Sequence, residues 1–137
     1  MAERKCTPAV RTGRLNKARE FRLAAELLEE SADGRDDLAD AYITMCVHAG
    51  IAAADVICCS RLNVHHQGES HDEAVTLLAR VDRQLAGDLA TLLRKKTASG
   101  YGERVSSAAD RKQAKRAMDR LVDSAETAGF SVSTYER

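Results

Sequence analysis

The chain has 137 residues, enough for one domain that buries a real core without disulfides or metal. Its 21 basic and 21 acidic residues cancel, which excludes bulk electrostatic attraction as a basis for nucleic-acid binding and leaves only a local basic patch for that purpose. Abundant alanine, leucine, arginine and acidic residues, one proline and no tryptophan favour an all-helical protein.

Residues 1–12 contain Pro8 and no apolar periodicity, and read as a flexible basic arm with no signal-peptide core. A first helix is expected over 13–32, where Leu15, Ala18, Phe21, Ala25, Leu28 and Ala32 recur at three- and four-residue intervals. DGRDD at 33–37 ends it, and its acidic residues suit the start of a second helix over 37–61. In that second helix, small residues cover the side opposite Leu38, Tyr42, Met45 and Val56, so it is expected at the centre of the fold. Its apolar run at 41–59 approaches membrane-spanning length. His48, Asp55 and the alanine-rich composition favour a buried helix of a soluble, cytoplasmic protein, not a membrane span.

Ser70 followed by Glu73 is a capping box opening a third helix, and Asp82 is placed to cap a second piece after a break near 81–83. SGYG at 99–102 is expected to end that piece. Ser107 followed by Asp110 opens a last helix to about 128, with Gly129 as its terminal glycine and 130–137 as a tail. The expectation is an all-α, four-to-five-helix up-down bundle forming one domain over 13–129.

The four cysteines, Cys6, Cys46, Cys58 and Cys59, show no CxxC spacing and are expected as reduced thiols. Cys58, Cys59, His65, His66 and His71 lie close in sequence but match no zinc-ligand spacing, so neither metal nor cofactor is expected. Basic residues collect at Arg94, Lys95, Lys96, Arg104, Arg111, Lys112, Lys115 and Arg116. Such clusters are ordinarily solvated helix faces. This one flanks a glycine-containing turn, where backbone N–H and guanidinium groups could converge on a phosphate.

Three segments, CVHAGIAAADVICC, GESHDEAVTLL and LLRKKTASGY, occur in the order and spacing that resembles a HEPN domain, a family of small helical bundles of prokaryotic defence, toxin–antitoxin and RNA-processing systems. The last segment resembles the family's signature turn, in which arginine, a short spacer, histidine, any residue and tyrosine follow one another. The resemblance implies a metal-independent ribonuclease acting as a homodimer. Histidine would move the ribose 2′-hydroxyl proton and arginine would stabilise transition-state charge. Arg94 and Tyr101 match that pattern, but Ser99 stands in the histidine's place and cannot titrate near neutrality. A degenerate module is therefore expected, binding RNA, a nucleotide or a partner through Arg94, Ser99, Tyr101, Lys95 and Lys96. The resemblance also implies a minimal nucleotidyltransferase as a possible partner.

Two alternatives stay open: an active endoribonuclease using Arg61 with His66 or His71, and a purely structural interaction subunit. His48 and Asp55, seven residues apart on one helix face, are expected as a buried polar pair or a polar interface.

Overall fold

The structure is a computed structural model describing residues 3–135, with the side chains at 98, 101 and 129–135 outside the description. It is an all-α bundle of five helices with one two-stranded ribbon: β1 (Glu3–Lys5), α1 (Pro8–Ala32), α2 (Ala39–Leu62), β2 (Val64–His66), α3 (His71–Ala79), α4 (Arg83–Tyr101) and α5 (Ala108–Tyr135).

Helix α1 starts five residues earlier than its apolar periodicity suggests. Thr7 is its N-cap, Oγ1 accepting from the Val10 N–H at 3.2 Å, and Pro8 occupies the first turn, where a missing N–H costs nothing. The chain before it is not a loose arm. β1 pairs antiparallel with β2, Glu3 opposite His66 and Lys5 opposite Val64, and a Cys6–Cys59 disulfide ties its end to the last turn of α2. This corrects the expectation of four reduced thiols. Cys46 and Cys58 are the free cysteines, both buried.

The left-handed Asp33 and Gly34 end α1, and the Arg35 Nε donates back to the Ala32 carbonyl at 3.0 Å. Left-handed Asn63 ends α2, its N–H donating to the Cys59 carbonyl. The three later helix starts follow the capping signals in the sequence. Ser70 accepts from Glu73 N–H, Asp82 from Leu85 N–H, and Ser107 and Asp110 exchange bonds in both directions. At the other end, α5 runs through Gly129 to Tyr135, so the expected glycine stop and the tail at 130–135 are replaced by helix. A glycine inside a helix costs only about 1 kcal/mol, and no proline follows to enforce a stop.

Helix α2 is the hub: α1, α4 and α5 pack on it, and α3 packs on α4. Ile43, Val47, Val56, Leu78, Leu89, Leu92, Met118, Leu121 and Val122 fill the interior. Gly50 permits this convergence, because a Cβ there would collide with Leu92 Cδ1 and press on Leu121 Cδ1. Helix α2 is long and apolar enough to cross a membrane by length and composition; here its apolar surface is mostly covered by the other helices. On the side of α2 that faces between α1 and α4, Ile51, Ala54, Asp55 and Cys58 form the floor of a cleft.

Candidate functional site

Arg94 and Ser99 of the arginine–serine–tyrosine segment do not share one face. The segment is the last part of α4 itself, not a turn after it. Arg94 is exposed, its guanidinium donating to Thr91 Oγ1 at 3.2 Å. Ser99 is buried: its Oγ lies 3.3 Å from Thr44 Oγ1 and donates to the Lys96 carbonyl at 3.4 Å. Five residues along a helix turn a side chain through about 500°, which leaves Arg94 and Ser99 about 140° apart. Tyr101 lies in the final turn of α4, its side chain outside the described ones.

Three of the eight residues of the basic zone are held in ion pairs. Lys95 Nζ donates to Asp110 Oδ1 at 3.0 Å, Arg111 pairs with Asp36, and Lys115 pairs with Asp119 at 2.9 Å. The backbone donors at the start of α5 are taken as well. Ser106 donates its N–H and hydroxyl to Asp40, and the Ser107 N–H donates to Asp110. Those bonds from Ser107, together with Lys95, hold the Asp110 carboxyl down to about 2.

The side chains that do converge lie on the strip of α2 between α1 and α4. A cleft of about 520 Å³ opens there, closed at one end by the 67–70 link and the start of α3. Its polar lining includes Arg14 from α1, Asp55 from α2, His66 from β2, His71 from α3 and Lys96 from α4; Ile51, Ala54, Leu89 and Leu93 make an apolar wall. The volume is within the usual range of small-molecule sites.

Asp55 is the most unusual group in the cleft. Its side chain is only 13% exposed, yet its one polar partner among the described residues is Arg14, whose Nε stands 3.6 Å from Oδ2. Burial pushes its carboxyl up to about 7, and Arg14 offsets part of that rise. Cys58 also lines the cleft; burial pushes its thiol up to about 12, so it stays protonated and is a poor nucleophile. His66 contributes a ring whose Nε2 is buried without a hydrogen-bond partner.

The pairings expected from sequence rearrange accordingly. His48 does not pair with Asp55. It is exposed and its ring packs on Phe21, with centroids 5.1 Å apart, because seven residues of helix separate the two α2 positions by about 10 Å. Partial burial and nearby Lys96 lower the His48 pKa. Arg61 does not accompany His66 and His71. It is exposed at a separate groove with Val81, Leu85 and Asp123. Arg14 carried no local signal as a site residue, since only the packing of α1 on α2 brings it to Asp55. Among the described residues, no group of three or more His, Cys, Asp or Glu side chains is placed to hold a metal ion.

The chain matches no protein-family model, and no curated protein or solved structure matches it.

Proposed function

We propose that the chain is a HEPN-like binding module that grips a phosphate-bearing ligand, RNA or a nucleotide, in the cleft between α1, α2 and α4 without cutting it. The observation that carries this reading is that Arg14, His66, His71 and Lys96, from four different elements, line one cleft together with the carboxylates of Asp55 and Glu69. Cationic and N–H donors set against an apolar wall suit a ligand with one anionic and one flat apolar part. The burial of Ser99 against Thr44 gives that position a packing role and supports a site that binds without the turn's chemistry. Homodimerisation and a nucleotidyltransferase partner belong to the same proposal through the resemblance alone. The Cys6–Cys59 bond further requires a compartment that leaves it oxidised, and that bears on the cytoplasmic location expected from sequence.

Fluorescence-anisotropy titration of a short labelled RNA and a labelled nucleotide, in EDTA at two salt concentrations, tests the reading. Lys96→Ala and His71→Ala should each weaken binding about tenfold, as loss of a charge-assisted contact does. Salt should weaken wild-type binding as well. Binding unaltered by both substitutions would contradict the assignment.

A second reading has one observation in its favour. His66 and His71 share the cleft with a carboxyl that titrates near neutrality, which is the equipment of general acid–base cleavage. If the RNA is cut in EDTA, and cutting is lost in His66→Ala or His71→Ala, the chain is a nuclease and not a passive binder.

A further inference from the structure

The lining of the cleft is mixed in charge, and the mixture decides what it can hold. Arg14 on α1 and Lys96 on α4 are its fixed cations; Asp55 on α2 and Glu69 in the 67–70 link are its carboxyls. His66 on β2 and His71 on α3 are its histidines, and Cys58 on α2 is a thiol that burial keeps protonated. With both carboxyls ionised and both histidines neutral, the lining carries no net charge and does not attract an anion as a whole. Each proton taken up shifts that balance by one positive charge. The two carboxyls are not equivalent. Glu69 is exposed, so water solvates its charge. Asp55 is largely withdrawn from water, receives no direct hydrogen bond from the described residues, and faces Arg14 at 3.6 Å. One loose ion pair does not replace the hydration lost, so the neutral acid is the easier form to hold there.

We infer that the cleft takes up its phosphate anion together with a proton, and that Asp55 is the group that receives the proton. The inference rests on the cleft being the anion-binding site proposed above. The proton comes from solvent and adds to a carboxylate oxygen; no bond of the ligand is made or broken. Its uptake has two effects. It removes a negative charge from the floor of the cleft beside the entering phosphate, and it releases the Arg14 guanidinium from Asp55 to donate to phosphate oxygens. The converse follows by linkage: a bound anion makes Asp55 harder to ionise by the same free energy that the proton adds to binding. Burial pushes the Asp55 carboxyl up to about 7, with Arg14 offsetting part of the rise, so the exchange falls in the neutral range. The histidines act in the same direction as Asp55, and substitution of Asp55 separates the two. A strand phosphate and a free nucleotide present the same anion.

Isothermal titration with the dinucleotide ApA and with 3′,5′-cyclic AMP tests this on the full chain. ApA stands for a strand and cyclic AMP for a free nucleotide, and the phosphodiester of each keeps its single charge across the range. The tighter of the two identifies the source of the phosphate, and the proton linkage is expected with either. Wild type should bind about tenfold more weakly at pH 8.5 than at pH 7, as one linked proton requires. Repeating the titration at pH 7.5 in two buffers of different ionisation enthalpy should show uptake of up to one proton per ligand bound. Asp55→Asn imitates the neutral acid at nearly constant shape and is checked for folding by circular dichroism. It should lose both the slope and the proton uptake, and at pH 8.5 it should bind more tightly than wild type. A wild-type affinity that does not change with pH would overturn the inference and leave the cleft as a plain anion site. The same slope in wild type and Asp55→Asn would also overturn it, by giving the proton to a histidine. Absence of binding by both probes at every pH would overturn both this inference and the function on which it rests.

Discussion

Asp55 pays for its position in a way that pH can expose. Its folded pKa, about 7, lies above the ordinary 3.8, so the acid form is favoured by folding. The stability contribution of this group is fully present below about pH 4 and is lost as pH rises through 7, when a charge must be held in the cleft. Wild type should therefore lose on the order of 3 kcal/mol between pH 5 and pH 8.5 from this residue, and Asp55→Asn should flatten that part of the profile. Urea denaturation of both proteins across that range measures the difference. The other charged or titratable groups lining the cleft are Arg14 on α1, Cys58 on α2, His66 on β2, Glu69 in the link, His71 on α3 and Lys96 on α4. Cys58 remains a thiol throughout, because burial pushes it up to about 12. Ser99 gives a second test on the scale of one side chain. Ser99→His should restore no ribonuclease activity and should destabilise the fold by about 1–3 kcal/mol, because the larger ring enters a buried contact with Thr44. RNA incubation in EDTA and a thermal melt read the two effects.

At the scale of elements, what was legible in the sequence was what is local. Ser70 with Glu73, Asp82 before Leu85, and Ser107 with Asp110 announced three helix starts, because a cap is formed within three residues of chain. Thr7–Pro8 is the same kind of signal, hidden by the charged, aperiodic residues that follow it. The β1–β2 ribbon and the Cys6–Cys59 bond were not legible, since their partners lie more than fifty residues apart and no spacing rule links them. Three-residue strands are too short to hold together by pairing alone, so the disulfide is the main restraint on β1. Cys6→Ser should lower stability by about 2–4 kcal/mol, and a dithiol reductant should lower wild type to the same level, both measured by denaturant unfolding. Where α2 meets α4 and α5, Gly50→Ala should cost about 1–3 kcal/mol by forcing Leu92 and Leu121 aside, whereas the control Gly87→Ala, in α4 and facing open space, should gain up to about 1 kcal/mol of helix propensity.

For the molecule as a whole, the helical bundle followed from periodicity, but the site did not. His66, His71, Lys96 and Asp55 each stood out in the sequence, yet for separate reasons: a histidine pair in a linker, a basic stretch at the end of a helix, a polar pair on the central helix. Their common cleft depends on α1 and α4 flanking α2 without covering it, a property of three helices drawn from opposite halves of the chain. Arg14, the partner of Asp55, could be found only through that packing. The arginine–serine segment shows the converse. Its residues are close in sequence, and helical geometry sends them to different sides. The choice between these two surfaces is decided most directly by mapping amide chemical-shift changes in ¹⁵N-labelled protein titrated with a short RNA and with a nucleoside monophosphate. The largest changes are predicted at residues 14, 51–58, 66–71 and 96, around the cleft. Changes confined to Arg94 and residues 104–116, with the cleft amides unmoved, would contradict the account.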